Sequence, residues 1–378
     1  MQVLVIGGAG FVGSHTVDAL LRQGHAVRVA DNLDAQVHPT GELPEYLNRA
    51  AEFVRMDLRD IDALRKALGG MEAVFFFAGA VGVGDSMYRI RHYAEANLMG
   101  AANFLEILAN GPHSIQKVVL SSSVTVYGEG KYQCPKHGVV FPALRSPEQI
   151  AARQWEPVCA VEEGSRKCGQ QLQALPIDEQ KPLAPQSIYA ITKQNQEQMF
   201  LTVGRTYNVP VAVLRYFNVF GTRQALSNPY TGVAKIFATS LAQGEAPILY
   251  EDGLQSRDFV HVRDVVQANL LALEKSEANH EIFNVGTGRP ASVLEVAAAL
   301  AKIQNFRGEL KASNRCRAGD VRHCWADISK IRTRLGYEPR SVFPSGLEDV
   351  VEWSASGKNQ SAKSQEPESE MDRRGLIS

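Results

Sequence analysis

Short apolar runs alternate with stretches of helical spacing along the first part of the chain. The run VLVIG (Val3–Gly7) leads into FVGSHTVDALLRQG, where apolar residues recur at helical spacing. Then come AVRVAD, a helix near Ile61–Leu68, EAVFFFAG, a longer helix near Tyr88–Ala109, and QKVVLSSS. Strands alternating with helices predict a parallel sheet covered on both faces, because parallel strands need crossover helices. Ser187–Tyr207 is again helical in pattern and precedes the strand VPVAVLRYFNVFG. Past Gly221 the elements shorten (TGVAKIFATSLAQG, APILYED, EIFNVG), which predicts a smaller mixed domain over 221–353. The polar stretch 354–378 has the composition of a disordered tail.

Between Lys131 and about Leu175 the alternation breaks down. A structureless loop of that length inside a compact domain is unusual, so 131–175 reads as an inserted subdomain with its own cross-link. The sheet domain is then split into 1–130 and 176–220.

Composition narrows the picture. The 378 residues carry 40 Lys and Arg against 41 Asp and Glu, a formal charge of -1. That balance suggests neither a nucleic-acid partner nor an anionic membrane surface. No apolar run reaches the ~20 residues that span a bilayer. The opening QVLVIGG lacks the basic region and cleavage site of a secretory signal, so the expectation is a soluble cytoplasmic protein. Five cysteines, an odd number in a long chain, argue against a secreted disulfide framework. Three of them (Cys134, Cys159, Cys168) fall in the inserted segment and call for a local explanation.

Gly8-Ala9-Gly10-Phe11-Val12-Gly13 satisfies G-x-G-x-x-G, and Gly7, Gly10 and Gly13 add a second regular spacing. Glycines there permit a tight turn, close approach of a pyrophosphate and tight packing of helix on strand. The following helix offers its unpaired N–H groups to phosphate. Asp31, at the end of the next strand, suits a ribose diol and repels a 2′-phosphate, which favours NAD over NADP. The chain is therefore read as α/β: a Rossmann-type doubly wound parallel sheet, a smaller C-terminal substrate domain and a cysteine-containing insertion. In SIYAITK, Tyr189 and Lys193 stand four residues apart on one helix face. A nearby ammonium favours the phenolate and makes such a tyrosine a usable base.

These motifs resemble those of the extended short-chain dehydrogenases/reductases, in the group of NAD-dependent nucleotide-sugar epimerases and dehydratases. The resemblance runs from Met1 to about Trp353. It implies that NAD contacts Gly7, Gly10, Phe11, Val12 and Gly13, then Asp31 and Asn32 of DNLD and Asp57 and Leu58 of MDLRD. It adds Phe77, Ala78 and Gly79 of FFAG, Asn97, Tyr189, Lys193 and Tyr216. SSSVTVYG aligns Ser123 as the catalytic hydroxyl beside Tyr189 and Lys193. For the nucleotide-sugar it implies Ser123, Tyr189, Asn218, Arg257, Arg317, Asp320 and Arg322; chain-distant arginines suit a diphosphate.

Dehydratases of the group carry an Asp-Glu pair directly after the catalytic hydroxyl, where this chain has Val124-Thr125. Oxidation and re-reduction at C4 needs no such pair, so the reading is a 4-epimerase. The insertion, with CPKHG and QWEPVC, and the later NPYTGV are similar to those of dTDP-L-rhamnose 4-epimerases, whose insertion reads C-x-x-H then C-x-x-C. Here Cys134 and His137 keep the first pair, but Cys168 follows Cys159 by nine residues. A structural zinc on these four residues and a metal-free remnant both stay open. Alternatives are a UDP-glucose or UDP-N-acetylglucosamine 4-epimerase, a 4-dehydrogenase/reductase, and an NAD-sensing scaffold. The resemblance also implies a homodimer built on the long helices.

Overall fold

Seven strands run parallel in one sheet, in the order Glu281–Val285, Val211–Tyr216, Lys117–Ser123, Ala73–Phe76, Gln2–Ile6, Ala26–Asp31, Glu52–Arg55. All six pairings are parallel. This computed structural model describes residues 1–225, 232–341, 343–356 and 372–377. The chain runs outward from Gln2–Ile6 in one direction and resumes on its other side with Ala73–Phe76. That reversal of order opens a crevice at the carboxyl ends of these two strands, where α/β sheets bind ligands.

The strands' alternation sorts their side chains onto two cores. Val3, Val5, Val29 and Phe75 meet Val17 and Leu20 of the helix Phe11–Arg22 and Val265 and Ala268 of Val262–Glu274. Leu4, Ile6, Val74 and Phe76 meet Leu64, Phe104 and Phe200 from three other helices. Phe104 and Phe200 stack 5.5 Å apart, binding Gly100–Asn110 to Ile188–Thr206. Each such fully buried side chain stabilises the fold by about 1.5–3 kcal/mol. A single turn of π-helix, Ala94–Met99, joins Ile90–Tyr93 to Gly100–Asn110 and carries Asn97.

A third core, with Phe237, Leu241, Val296, Leu300 and Leu347, gathers the helices Val233–Ala242, Val293–Ile303 and Leu347–Ala355. The chain does not stay in this part after residue 221. Val262–Glu274 and Glu281–Val285 return to the large sheet, because Phe283 and Val285 are buried in its first core. The segment 131–175 forms a small antiparallel sheet ordered Gln173–Leu175, Lys131–Cys134, Gly138–Val140. Only Tyr132, Cys134, Cys159 and Leu172 form its buried apolar centre.

The tail departs from its expected disorder where it is described. The Ala318 N–H donates to the Leu376 carbonyl at 2.9 Å, and Arg317 and Ile377 form an antiparallel bridge. The cause is apolar: Ile377, with Leu376, packs on Tyr250. Residues 357–371 of that tail, and 228–231 of NPYTGV, lie outside the described residues. No helix among the described residues is long and apolar enough to cross a membrane.

Candidate active site

The first strand ends in a turn that only glycine fits. Gly7 has φ +79°, and a Cβ there would lie 2.7 Å from the Ala78 nitrogen. A Cβ on Gly13 would lie 2.2 Å from the Gly7 carbonyl oxygen, so the helix Phe11–Arg22 presses directly on the turn. Together with the end of Ala73–Phe76, this turn lines a cavity of about 440 Å³ that also takes in Asp31, Asn32, Phe77, Ala78 and Gly79. The cradle fits the pyrophosphate of a dinucleotide, since bare backbone and a helix N-terminus face one cavity. Asp31 accepts from the Ala9 N–H at 3.0 Å and the Leu33 N–H at 2.9 Å. Burial raises its pKa, against the lowering by those N–H groups and His38. A carboxylate has about four lone-pair sites, so acceptor capacity is left for a ribose diol.

Other expected cofactor contacts stand further back. Asn97 does not line the cavity; its Oδ1 accepts from the Ala80 N–H at 2.8 Å and its Nδ2 donates to Thr192 Oγ1 at 2.9 Å. It thereby fixes the loop after Gly79 against the helix that bears Tyr189. Asp57, held down at about 2 mainly by its hydrogen bond from Arg59, reaches Asn32 Nδ2 at 3.4 Å. Leu58 packs beneath Gly100, where a Cβ would lie 2.8 Å from its own. Neither Asp57 nor Leu58 lines the cavity, whereas Tyr216 does, with its hydroxyl donating to Asn269 Oδ1 at 2.6 Å.

Ser123, Tyr189 and Lys193 line the same cavity as the glycine turn. Ser123 ends its strand, and its Oγ accepts from Thr125 Oγ1 at 3.0 Å. Tyr189 lies in the first turn of Ile188–Thr206, which is capped by Ser187 Oγ accepting from the Ala190 N–H at 3.2 Å. Burial pushes the Tyr189 phenol up to about 12, opposed by its hydrogen bond with Ser123. Lys193 is hydrogen-bonded to groups other than that phenol. Its ammonium donates to the Ser121 carbonyl at 2.8 Å and Gln196 Oε1 at 3.1 Å, and burial pulls it down to about 8.

Sequence reasoning missed the polar group beneath these residues. Arg215 pairs with Glu197 through Nε–Oε1 at 2.9 Å and Nη2–Oε2 at 2.7 Å, and Ser122 Oγ donates to the same carboxylate. The signals were an arginine inside the apolar run VAVLRYF and a glutamate one turn past Lys193.

The expected nucleotide-sugar residues divide. Asn218 lines the cavity, and its Oδ1 is buried without a hydrogen-bond partner among the described residues. Arg257 Nη2 donates to Asp320 Oδ1 at 2.6 Å and the Val321 carbonyl at 2.7 Å, and its Nη1 to the Ser256 and Arg322 carbonyls at 2.9 and 3.1 Å, so of its donors Nε is left for a ligand. Arg317 lies over the Tyr250 ring at 4.1 Å with a buried Nε that has no partner among the described residues, and neither arginine lines the cavity. Arg322 is a correction. It is fully buried, and its nitrogens donate to Glu156, Glu251 and Asp252 at 2.6–2.9 Å, so no donor faces a diphosphate.

The four insertion ligands converge. Their ligand atoms all lie within 4.8 Å of one another. Cys134 Sγ is 3.6 Å from His137 Nδ1 and 4.0 Å from Cys168 Sγ, and Cys159 Sγ is 3.5 Å from His137 Nδ1. Tetrahedral zinc with Zn–S of about 2.3 Å sets edges of about 3.5–3.8 Å, which the two Cys–His separations match and the Cys134–Cys168 separation exceeds. Burial raises the Cys134 thiol, yet hydrogen bonds from the Lys136 and His137 N–H groups bring it down to about 6. Cys316 and Cys324 are buried elsewhere.

The chain matches the family model described as NAD dependent epimerase/dehydratase family over residues 3–147 and 165–286, the gap falling inside the insertion. It is 30% identical to a dTDP-L-rhamnose 4-epimerase of Burkholderia thailandensis, over 94% of this chain and 95% of that protein. It is 33% identical to a putative UDP-glucose 4-epimerase of Methanocaldococcus jannaschii, over 93% and 98%. Its structure is similar to that of the Thermus thermophilus UDP-glucose 4-epimerase in complex with NAD, with TM-score 0.73, 29% identity and coverage of 94% and 99%. Glycine turn, acidic strand end, hydroxyl and phenol in one cavity thus agree with the match along the chain: it belongs to the NAD-dependent epimerase/dehydratase family.

Proposed function

We propose that this chain is an NAD-dependent 4-epimerase of a nucleotide-activated hexose. The observation that carries the reading is one cavity holding the glycine turn, Ser123, Tyr189 and Lys193, with Val124-Thr125 where a dehydrating acid/base pair would stand. Held by the glycine turn and Asp31, NAD would supply a hydride acceptor and donor for the sugar C4. Tyr189, as the phenolate, would take the C4 hydroxyl proton and give it back from the phenol, and Ser123 would hold that oxygen in line with it. Lys193 brings positive charge below the site, and Asn218 offers its free Oδ1 to the sugar-nucleotide. Arg257 and Arg317 meet the diphosphate, with Asp320 orienting Arg257. Asp31 selects NAD over NADP, and Asn97, Asp57 and Leu58 shape the cofactor's surroundings from behind.

The finer substrate is dTDP-L-rhamnose with its C4 epimer dTDP-6-deoxy-L-talose. The Burkholderia relative, matched over nearly its whole length, and the four-ligand insertion support it. UDP-glucose is the second reading, favoured by the 33% identity of the Methanocaldococcus relative. Structural zinc at Cys134, His137, Cys159 and Cys168 belongs to the same proposal, as does a homodimer. Exposed Ile90, Met99 and Ile191 on the helices beside the catalytic cavity support the dimer. The test is incubation with a panel of dTDP- and UDP-sugars, with products read by mass and NMR. Epimerised dTDP-L-rhamnose is the expected product, and turnover of no panel member defeats the reading.

A further inference from the structure

Two charged side chains of the insertion reach the same short stretch of the substrate domain. Arg145 Nη2 donates to the Asp320 carbonyl at 3.2 Å and to Glu251 Oε1 at 2.7 Å. The Asp320 carboxylate in turn holds Arg257, so the insertion is two contacts from a proposed diphosphate ligand. Glu156 Oε1 accepts from Arg322 Nε and Nη2 at 2.9 and 2.6 Å, and Glu156 Oε2 lies 3.0 Å from His323 Nε2. His323 Nδ1 is in turn 2.8 Å from Ser256 Oγ, next to Arg257. A third tie stands just before the insertion: the Glu129 carboxylate accepts from the Arg322 backbone N–H at 3.0 Å. A Cβ on Gly130 would lie 2.2 Å from the His323 carbonyl oxygen, so the two segments run in direct contact.

An insertion that needed only fastening could have settled on any surface. This one places its charged side chains on residues 320–323, between Arg317 and the strand Ser256–His261, and on Glu251. We propose that Glu156 and Arg145 are positioning residues for nucleotide-sugar binding: they hold the stretch Arg317–His323 so that Arg257 and Arg317 face the diphosphate. The proposal rests on the 4-epimerase reading for its substrate, and on the geometry alone for the coupling.

Glu156 is the residue to change, because it is partly exposed while Arg145 and Glu251 are buried. In the full-length Glu156→Gln protein, KM for the nucleotide-sugar should rise by roughly tenfold, an ordinary size for coupling between neighbouring sites. The turnover number should stay within about twofold and NAD affinity should be unchanged. Glu156→Asp, which keeps the charge, should recover part of the loss. Calorimetric titration with UDP and with dTDP supplies a readout without turnover, and the variant should bind the preferred nucleotide more weakly by the same factor. A lower melting temperature with unchanged KM and nucleotide affinity would overturn the proposal and leave Glu156 a fastening. If the wild type turns over no sugar yet the variant loses nucleotide affinity, the coupling stands and the 4-epimerase reading falls. Binding of neither nucleotide by the wild type would overturn both.

Discussion

The cofactor cradle and the insertion fix their backbones by opposite means. In the cradle, Gly7 and Gly13 work by having no side chain, and the turn closes until a single methyl would collide at 2.2 Å. In the insertion, four side chains converge to within 4.8 Å over an apolar centre of only four buried residues. The cradle inherits its rigidity from a sheet buried on both faces. The insertion has no such sheet and is held by ion pairs, beside a convergent Cys/His cluster. One arrangement is therefore vulnerable to added bulk, the other to lost chemistry.

Four variants sharpen that contrast. The largest effect is expected in the cavity that the cradle lines: Tyr189→Phe should lower turnover by ~100- to 10,000-fold, the usual cost of a lost general base. Stopped assays on protein loaded with NAD would check it. Turnover near wild type would place the base elsewhere. Next, Gly13→Ala should weaken NAD binding by about 10- to 100-fold, because overpacking costs 1–3 kcal/mol and nothing beside Gly7 can yield. A calorimetric NAD titration reads it, and the insertion's metal content should not change.

Cys134→Ser with Cys159→Ser is the converse experiment. Zinc, measured by mass spectrometry on untagged protein, should fall from about one equivalent to none, and proteolysis within 131–175 should quicken. NAD affinity should hold within about twofold. Less than a tenth of an equivalent in the active wild type would reject the metal.

The smallest effect concerns Lys193. Its folded pKa of about 8 lies below the ordinary 10.5, so between those values the unfolded chain holds a proton that the folded chain has released. Cofactor-free protein should gain stability as pH rises through that window, and Lys193→Met should flatten the gain. Equal melting profiles from pH 8 to 10.5 would refute the burial assigned to this ammonium.

What could be read in the sequence was local. The glycine spacing, the strand–helix alternation and the four-residue step from Tyr189 to Lys193 each depend on neighbours along the chain. What could not be read depends on distant partners. Arg322 has the residue type of a phosphate ligand, but Glu156 and Asp252 meet it from 166 and 70 positions away and turn it inward. The same blindness hid the Lys193 contact to Ser121, 72 positions back, and the seating of Ile377 on Tyr250. Residue type announces what a side chain can bind; the fold decides whether a ligand or the protein takes the offer.

The π turn at Ala94–Met99 has a consequence of its own. Widening one turn of a helix shifts the phase of everything after it, and such turns recur at functional sites. Asn97 sits at this shift, so Ile90–Tyr93 and Gly100–Asn110 present faces that no uninterrupted α-helix would pair. Deleting one residue here would rejoin the two halves in register and swing Asn97 away from Ala80 while leaving Phe104 on Phe200. The turn thus behaves as a joint between two separately adjustable pieces, one answering to the cofactor loop and the other to the core.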